Sequence, residues 1–166
     1  MKVLIVSDTH RKDTNLQEVI ARTKPFDMLI HLGDAEGSED RIRRWCMDQN
    51  PACEIHIVQG NNDFLSALPR EEEVMIGKYR ALLTHGHYYG VSVGPERLLE
   101  EAEYRGVQMA MFGHTHKPML AEENGIVLLN PGSLSYPRQE GRRPSYMQIE
   151  IDREGEAHYT ISYLEK

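Results

Sequence analysis

Five short clusters of aspartate, asparagine and histidine punctuate the 166-residue chain. They are Asp8-Thr9-His10, Gly33-Asp34, Gly60-Asn61-Asn62-Asp63, His85-Gly86-His87 and Gly113-His114-Thr115-His116. They stand about 24 to 29 residues apart, each after an apolar run, and hold five of the eight histidines. Neutral imidazoles, carboxylates and an amide, with no thiolate among them, form a donor set for Mn, Fe, Ni or Zn. Calcium and a cysteine-bound structural zinc want other ligands. The candidate ligands Asp8, His10, Asp34, Asn61, His85, His114 and His116 exceed the four that one tetrahedral zinc takes. They suffice for two ions sharing a carboxylate. Spacing alone leaves His85 and His87 as alternatives; His85 is preferred because it sits nearer its strand end.

The elements that must position these residues are legible as β-α-β-α-β, followed by a strand-rich remainder. Lys2 to Val6 reads as a buried strand, then a helix capped by Asp13 or Thr14 with Leu16, Val19 and Ile20 on one face. Met28 to His31 is a second strand. Ser38 can cap a second helix carrying Ile42, Trp45 and Cys46 on its apolar face, and Ile55 to Val58 is a third strand. A hairpin is expected around Gly77 and Lys78. A third helix begins near Pro95 and runs to about Arg105, with Leu98, Leu99 and Ala102 inside. Met109 to Phe112, Ile126 to Leu129, Tyr146 to Ile151 and His158 to Tyr163 complete the strands; Glu71 to Glu73 reads as a solvated acidic turn. In α/β sheets ligands bind at the carboxyl ends of the strands, so five clusters at five strand ends should converge.

Composition sets bounds on function. The net charge of −7 opposes sequence-independent nucleic-acid binding, which needs a basic surface, and no stable nucleic-acid complex is expected. No run approaches the ~18 apolar residues of a membrane span. The N-terminal apolar run is too short for a signal peptide. Cys46 and Cys53 form neither a metal-type pair nor a disulfide framework. A single domain over residues 1–166 in the reducing cytoplasm is the expectation.

The five motifs, together with Asn130-Pro131-Gly132-Ser133, resemble the calcineurin-like metallophosphoesterase family. The likeness is to its small single-domain bacterial and archaeal phosphodiesterases. It implies an α/β fold, a four-layer α-β-β-α sandwich of two mixed sheets flanked by helices. It also implies a binuclear site: Asp8, His10, Asp34 and His116 around one ion, and Asp34, Asn61, His85 and His114 around the other, with Asp34 bridging. Mn is the foremost candidate, with Fe, Ni and Zn as alternatives. Two ions about 3.5–4 Å apart would clamp a phosphoryl group and generate a bridging hydroxide that attacks phosphorus in line with the leaving oxygen. The expected substrate is a small-molecule phosphate ester, above all a diester.

The chain departs from the family at Asn62, where many members carry a histidine that protonates the leaving group. An amide cannot do so near neutral pH. His87 is the candidate substitute, and weak catalysis on poor leaving groups is expected. Arg11 and Arg138 are candidate substrate contacts; Arg138, Arg142 and Arg143 read as a solvated loop or an electrostatic guide. Gly90-Val91-Ser92-Val93-Gly94 matches the nucleophile elbow of serine hydrolases but lacks a strand directly before the serine. The rivals are a non-catalytic interaction scaffold, as in the retromer subunit of eukaryotes, and a phosphomonoesterase or dinucleoside polyphosphate hydrolase. A homo-oligomer is left open.

Overall fold

The computed structural model describes residues 1–165. In chain order the elements are β1 (Lys2–Val6), α1 (Thr14–Thr23), β2 (Met28–His31), α2 (Glu39–Gln49), β3 (Glu54–Ile57), β4 (Glu71–Ile76) and β5 (Tyr79–Thr84). There follow α3 (Glu96–Arg105), β6 (Met109–Met111), β7 (Pro118–Glu123), β8 (Ile126–Pro131), β9 (Ser145–Ile151) and β10 (Ala157–Tyr163). They make two five-stranded mixed sheets, β10-β9-β1-β2-β3 and β4-β5-β6-β8-β7. β1, β2 and β3 run parallel in the first, as do β5, β6 and β8 in the second.

Side-chain alternation explains the layers. Val3 and Ile5 of β1 point into a core between the sheets with Met28, Ile30, Leu83, Met109 and Met111. Leu4 and Val6 point the other way and pack under α1 and α2 with Leu16, Val19, Ile20, Ile42 and Cys46. The second sheet turns Leu82, Ala110 and Leu128 outward against Leu98, Leu99 and Ala102 of α3. Each fully buried aliphatic side chain contributes about 1.5–3 kcal/mol, so helix–sheet–sheet–helix is the arrangement that leaves no apolar face wet. The four-layer expectation holds.

Several local expectations change. Asp13 and Ser38 stand at the N-caps of α1 and α2, but neither side chain makes a capping hydrogen bond. Instead Ser38 Oγ donates to Asp13 Oδ2 at 2.8 Å, and Arg41 reaches the same oxygen at 2.9 Å, tying the starts of α1 and α2 together. Glu71 to Glu73 is not a solvated turn but the first half of β4. Glu71 accepts from Tyr89 Oη and Arg105, Glu72 faces His56 Nδ1, and Glu73 accepts from Arg80, all at 2.7 Å. Ser92 lies exposed in a turn between β5 and α3 with no strand leading into it, so the elbow geometry is absent.

Candidate metal centre

The ligand-type residues follow the carboxyl ends of β1, β2 and β3 in one sheet and β5 and β6 in the other. The edge of a single sheet does not gather them; the rim where two sheets meet does. Backbone hydrogen bonds stitch that rim: Asp8 N–H donates to Gly33 C=O, His10 N–H to Asp34 C=O and Gly113 N–H to His85 C=O. Leaving a strand sharply requires unusual backbone. Asp8, His10, Asp34, His114 and His116 all have φ between 45° and 65°, a left-handed conformation in which Asp and His are over-represented among non-glycine residues. Each such residue costs on the order of 1 kcal/mol or more. Gly33 and Gly60 have a steric role. A Cβ on Gly33 would lie 2.6 Å from His85 Nδ1, and one on Gly60 would lie 2.1 Å from Asp34 Oδ1.

Three imidazoles are locked into one tautomer. His85 Nδ1 donates to Leu32 C=O at 2.6 Å and His116 Nδ1 to Tyr136 C=O at 2.7 Å. A carbonyl can only accept, so in the neutral ring the lone pair sits on Nε2. His10 Nδ1 donates likewise to the Glu36 carboxylate at 2.6 Å. Yet these three Nε2 atoms face other acceptors. His10 Nε2 lies 3.4 Å from His116 Nε2 and 3.8 Å from Asp34 Oδ2. His85 Nε2 lies 3.0 Å from Asn61 Oδ1 and 3.5 Å from Asp34 Oδ2.

Asp8 completes the picture. It is wholly buried, and its Oδ2 accepts from Ser7 Oγ at 2.6 Å and His114 N–H at 3.1 Å. Its Oδ1 has no hydrogen-bond partner although His116, His10 and His85 Nε2 lie 3.1, 3.8 and 3.9 Å away. Acceptors converging with too few protons to satisfy them want a cation. Electrostatics agree. Burial works against the Asp8 charge, but His116 and His85 hold its carboxyl below the usual range. Burial likewise opposes a charge on His116, but the Asp8 carboxylate draws one there and raises its pKa. A divalent ion would meet the same demand. Two groups have donor atoms within 4.8 Å of one another: Asp8, His10 and His116, and Asp8, Asp34 and His85. His114 joins through Nδ1, 2.9 Å from Asn61 Oδ1; burial and His85 lower its pKa.

The other expected residues are placed as follows. Asn62 sits at the rim and clamps Asp34, its N–H on Oδ1 and its amide nitrogen on Oδ2, both at 2.8 Å. His87 lies beside the cluster, its ring 5.4 Å from that of His85 and 6.1 Å from that of His114. Burial, with His85 and His114 nearby, pushes its pKa down to about 4. Asp63 is a clip: its carboxylate accepts from Asp34, Glu36 and Gly60 N–H at 2.7 to 2.8 Å. Asn130 and Ser133 shape the rim by donating to the carbonyls of Gly113 and Asp8. Arg143 stacks on Tyr163. The residue that the motifs miss is Glu36, which orients His10. A carboxylate two positions beyond Asp34 was its only signal; the carbonyls of Leu32 and Tyr136 leave none.

Among the described residues, two grooves adjoin the cluster, one through Asn62 and Glu36, which bond Asp34 and His10, the other through Thr115 and Arg138, whose N–H donates to His116 C=O. One of about 760 Å³ is bounded by Arg11, Asn62 and Phe64. The other, about 390 Å³, is bounded by Thr115, Lys117 and Arg138 over a floor of Val91 and Phe112. Arg11 and Arg138 thus serve different grooves.

Residues 1–154 match the sequence profile of the calcineurin-like phosphoesterase superfamily domain. The probable metallophosphoesterase YsnB of Bacillus subtilis is 31% identical over 156 residues, 93% of this chain and 86% of that protein. A predicted phosphoesterase from Streptococcus pneumoniae has a similar structure, with a TM-score of 0.77 and 26% identity over 98% of this chain and 97% of that one. Vps29 of Entamoeba histolytica, solved in complex with zinc, shares the fold with a TM-score of 0.75 at 24% identity over 98% of this chain and 99% of that one.

Proposed function

Since the chain belongs to the calcineurin-like phosphoesterase superfamily, we propose that it is a divalent-metal-dependent phosphodiesterase with a binuclear centre. Asp8, His10, Asp34 and His116 would hold one ion, and Asp34, Asn61, His85 and His114 the other, Asp34 being shared. The observation that carries this reading is the ring of mutually facing acceptors around the partnerless Asp8 Oδ1. When bound, such ions supply Lewis acidity, offsetting phosphoryl charge and acidifying the attacking water. That also accounts for an acidic chain acting on an anion. Mn is the first choice of metal. The match from residue 1 to 154 supports one domain.

The chain's own residues do the rest. Leu32, Tyr136 and Glu36 fix the tautomers of His85, His116 and His10, leaving Nε2 free to ligate. Ser7 Oγ and His114 N–H hold Asp8 so that Oδ1 points inward. Arg11 and Arg138 offer positive charge at the mouths of the two grooves. A diester carries two substituents, and a groove on either hand of the cluster provides for each; a monoester would use one. The rival scaffold reading has the fold likeness to Vps29 behind it, and likeness at that identity speaks for fold alone.

The test is hydrolysis of bis-p-nitrophenyl phosphate and p-nitrophenyl phosphate by chelator-stripped protein before and after Mn²⁺ is added back. We expect cleavage only with metal, the diester faster. A folded protein that takes up two metal equivalents and cleaves neither ester would be the scaffold instead. Glu36→Gln should weaken metal affinity about tenfold, up to a hundredfold, by loosening His10. Calorimetric titration with Mn²⁺ measures this, and unchanged affinity would mean that His10 is oriented without Glu36.

A further inference from the structure

The chain has three phenylalanines, and two are buried in the cores. Phe64 is 73% exposed, beside Leu65 at 93%. Such exposure fits no packing role. It is also not the exposure of a loose loop. The turn that presents Phe64 is tied down: Asp63 C=O accepts from Ser66 N–H, Ser66 Oγ and Gln59 Nε2. The Asp63 carboxylate is itself clipped to three backbone N–H groups under the metal cluster. The backbone that carries this aromatic face is therefore held at a set position two residues after Asn62. Phe64 lines the larger groove, whose lining also carries Arg11 and Arg43 together with the carboxylates of Glu39 and Asp40.

That mixture selects a class of occupant. A lipid chain would want a continuous apolar wall, and a polyphosphate would be repelled by the carboxylates. A group with one flat apolar face and several hydroxyls matches both kinds of lining. Aromatic rings stack on nucleobases of any sequence, and carboxylates accept from sugar hydroxyls. We propose that this groove is the subsite for the non-leaving substituent of the ester, and that this substituent is a nucleoside, its base lying on Phe64 and its sugar facing Glu39 and Asp40. The assignment rests on the phosphodiesterase reading above and adds the substrate class to it.

The test uses two diesters that share the leaving group and the single charge and differ only in the retained substituent: thymidine 5′-p-nitrophenyl phosphate and methyl p-nitrophenyl phosphate. Water is the sole co-reactant; its oxygen bonds to phosphorus as the bond to p-nitrophenolate breaks. The Mn²⁺-loaded parent should favour the nucleoside ester about tenfold in kcat/KM, the low end of what one stacked base contributes. Phe64→Ala should bring that ratio to within about twofold of unity. A ratio is immune to loss of folded or metal-loaded protein, which lowers both rates alike. Lys117→Ala, in the other groove, should leave it as in the parent. A parent that cleaves both esters equally well would overturn the nucleoside subsite while leaving the phosphodiesterase intact. A preference abolished by Lys117→Ala and untouched by Phe64→Ala would move the nucleoside to the smaller groove, and overturn the assignment. Cleavage of neither ester would remove the phosphodiesterase reading, and this one with it.

Discussion

Asp34→Asn should lower kcat on bis-p-nitrophenyl phosphate by about a thousandfold or more. In the proposed centre Asp34 is the carboxylate that both ions would share. Its Oδ2 faces both His10 Nε2 and His85 Nε2, at 3.8 and 3.5 Å, so it lies between the two groups of donors. Losing the charge that both ions would share removes several kcal/mol of Lewis-acid stabilisation, and about 1.4 kcal/mol is a factor of ten in rate. The substitution keeps size and one acceptor, so Asn62 N–H can still donate at this position. Metal content by elemental analysis should drop from two equivalents to one or none, while the circular dichroism spectrum stays that of the parent. Full turnover with two ions retained would show that Asp34 does not bridge.

Asn62→His should change the enzyme in the opposite direction. Diesters with alkoxide leaving groups should gain on the order of a hundredfold in kcat, the scale of a positioned general acid. Activated p-nitrophenyl esters, whose leaving group needs no proton, should change by less than about threefold. Asn62 is exposed at the rim and anchored through its backbone N–H, so a larger side chain meets no packed neighbour. Burial lowers the pKa of His87, which argues against a proton donor being in place there already. Comparing rates across a series of leaving groups separates the outcomes. A parallel shift for all esters would mean that the imidazole acts on binding, not on proton transfer.

The residues of the proposed centre were legible because each cluster follows a strand that announces itself by its own apolar run. Which sheet each strand joins was not. β1 pairs with β9 from the other end of the chain, and β6 pairs with β8 rather than with the intervening β7; no local period encodes either choice. β7 escaped altogether. It is an edge strand with no fully buried residue and two glutamates at its end, so alternation has nothing to mark. Glu71 to Glu73 misled for a related reason. Three consecutive carboxylates read as solvated until Arg80, Arg105 and His56 arrive from other elements to partner them. Around the cluster the readable part was side chains. The carbonyls that orient His85 and His116 belong to Leu32 and Tyr136, whose identities carry no such message.

The left-handed backbone at Asp8, His10, Asp34, His114 and His116 reaches beyond the site. The sandwich must hold these conformations whether or not they are useful at that moment, drawing on the surplus that its three cores provide. Mutational robustness is therefore unevenly spread. A core truncation that a less strained relative would absorb leaves this chain nearer its unfolding threshold. Bound cations, by favouring the folded state, would widen the range of sequence change it survives. Metal supply would then act on the evolvability of the whole chain as well as on its chemistry.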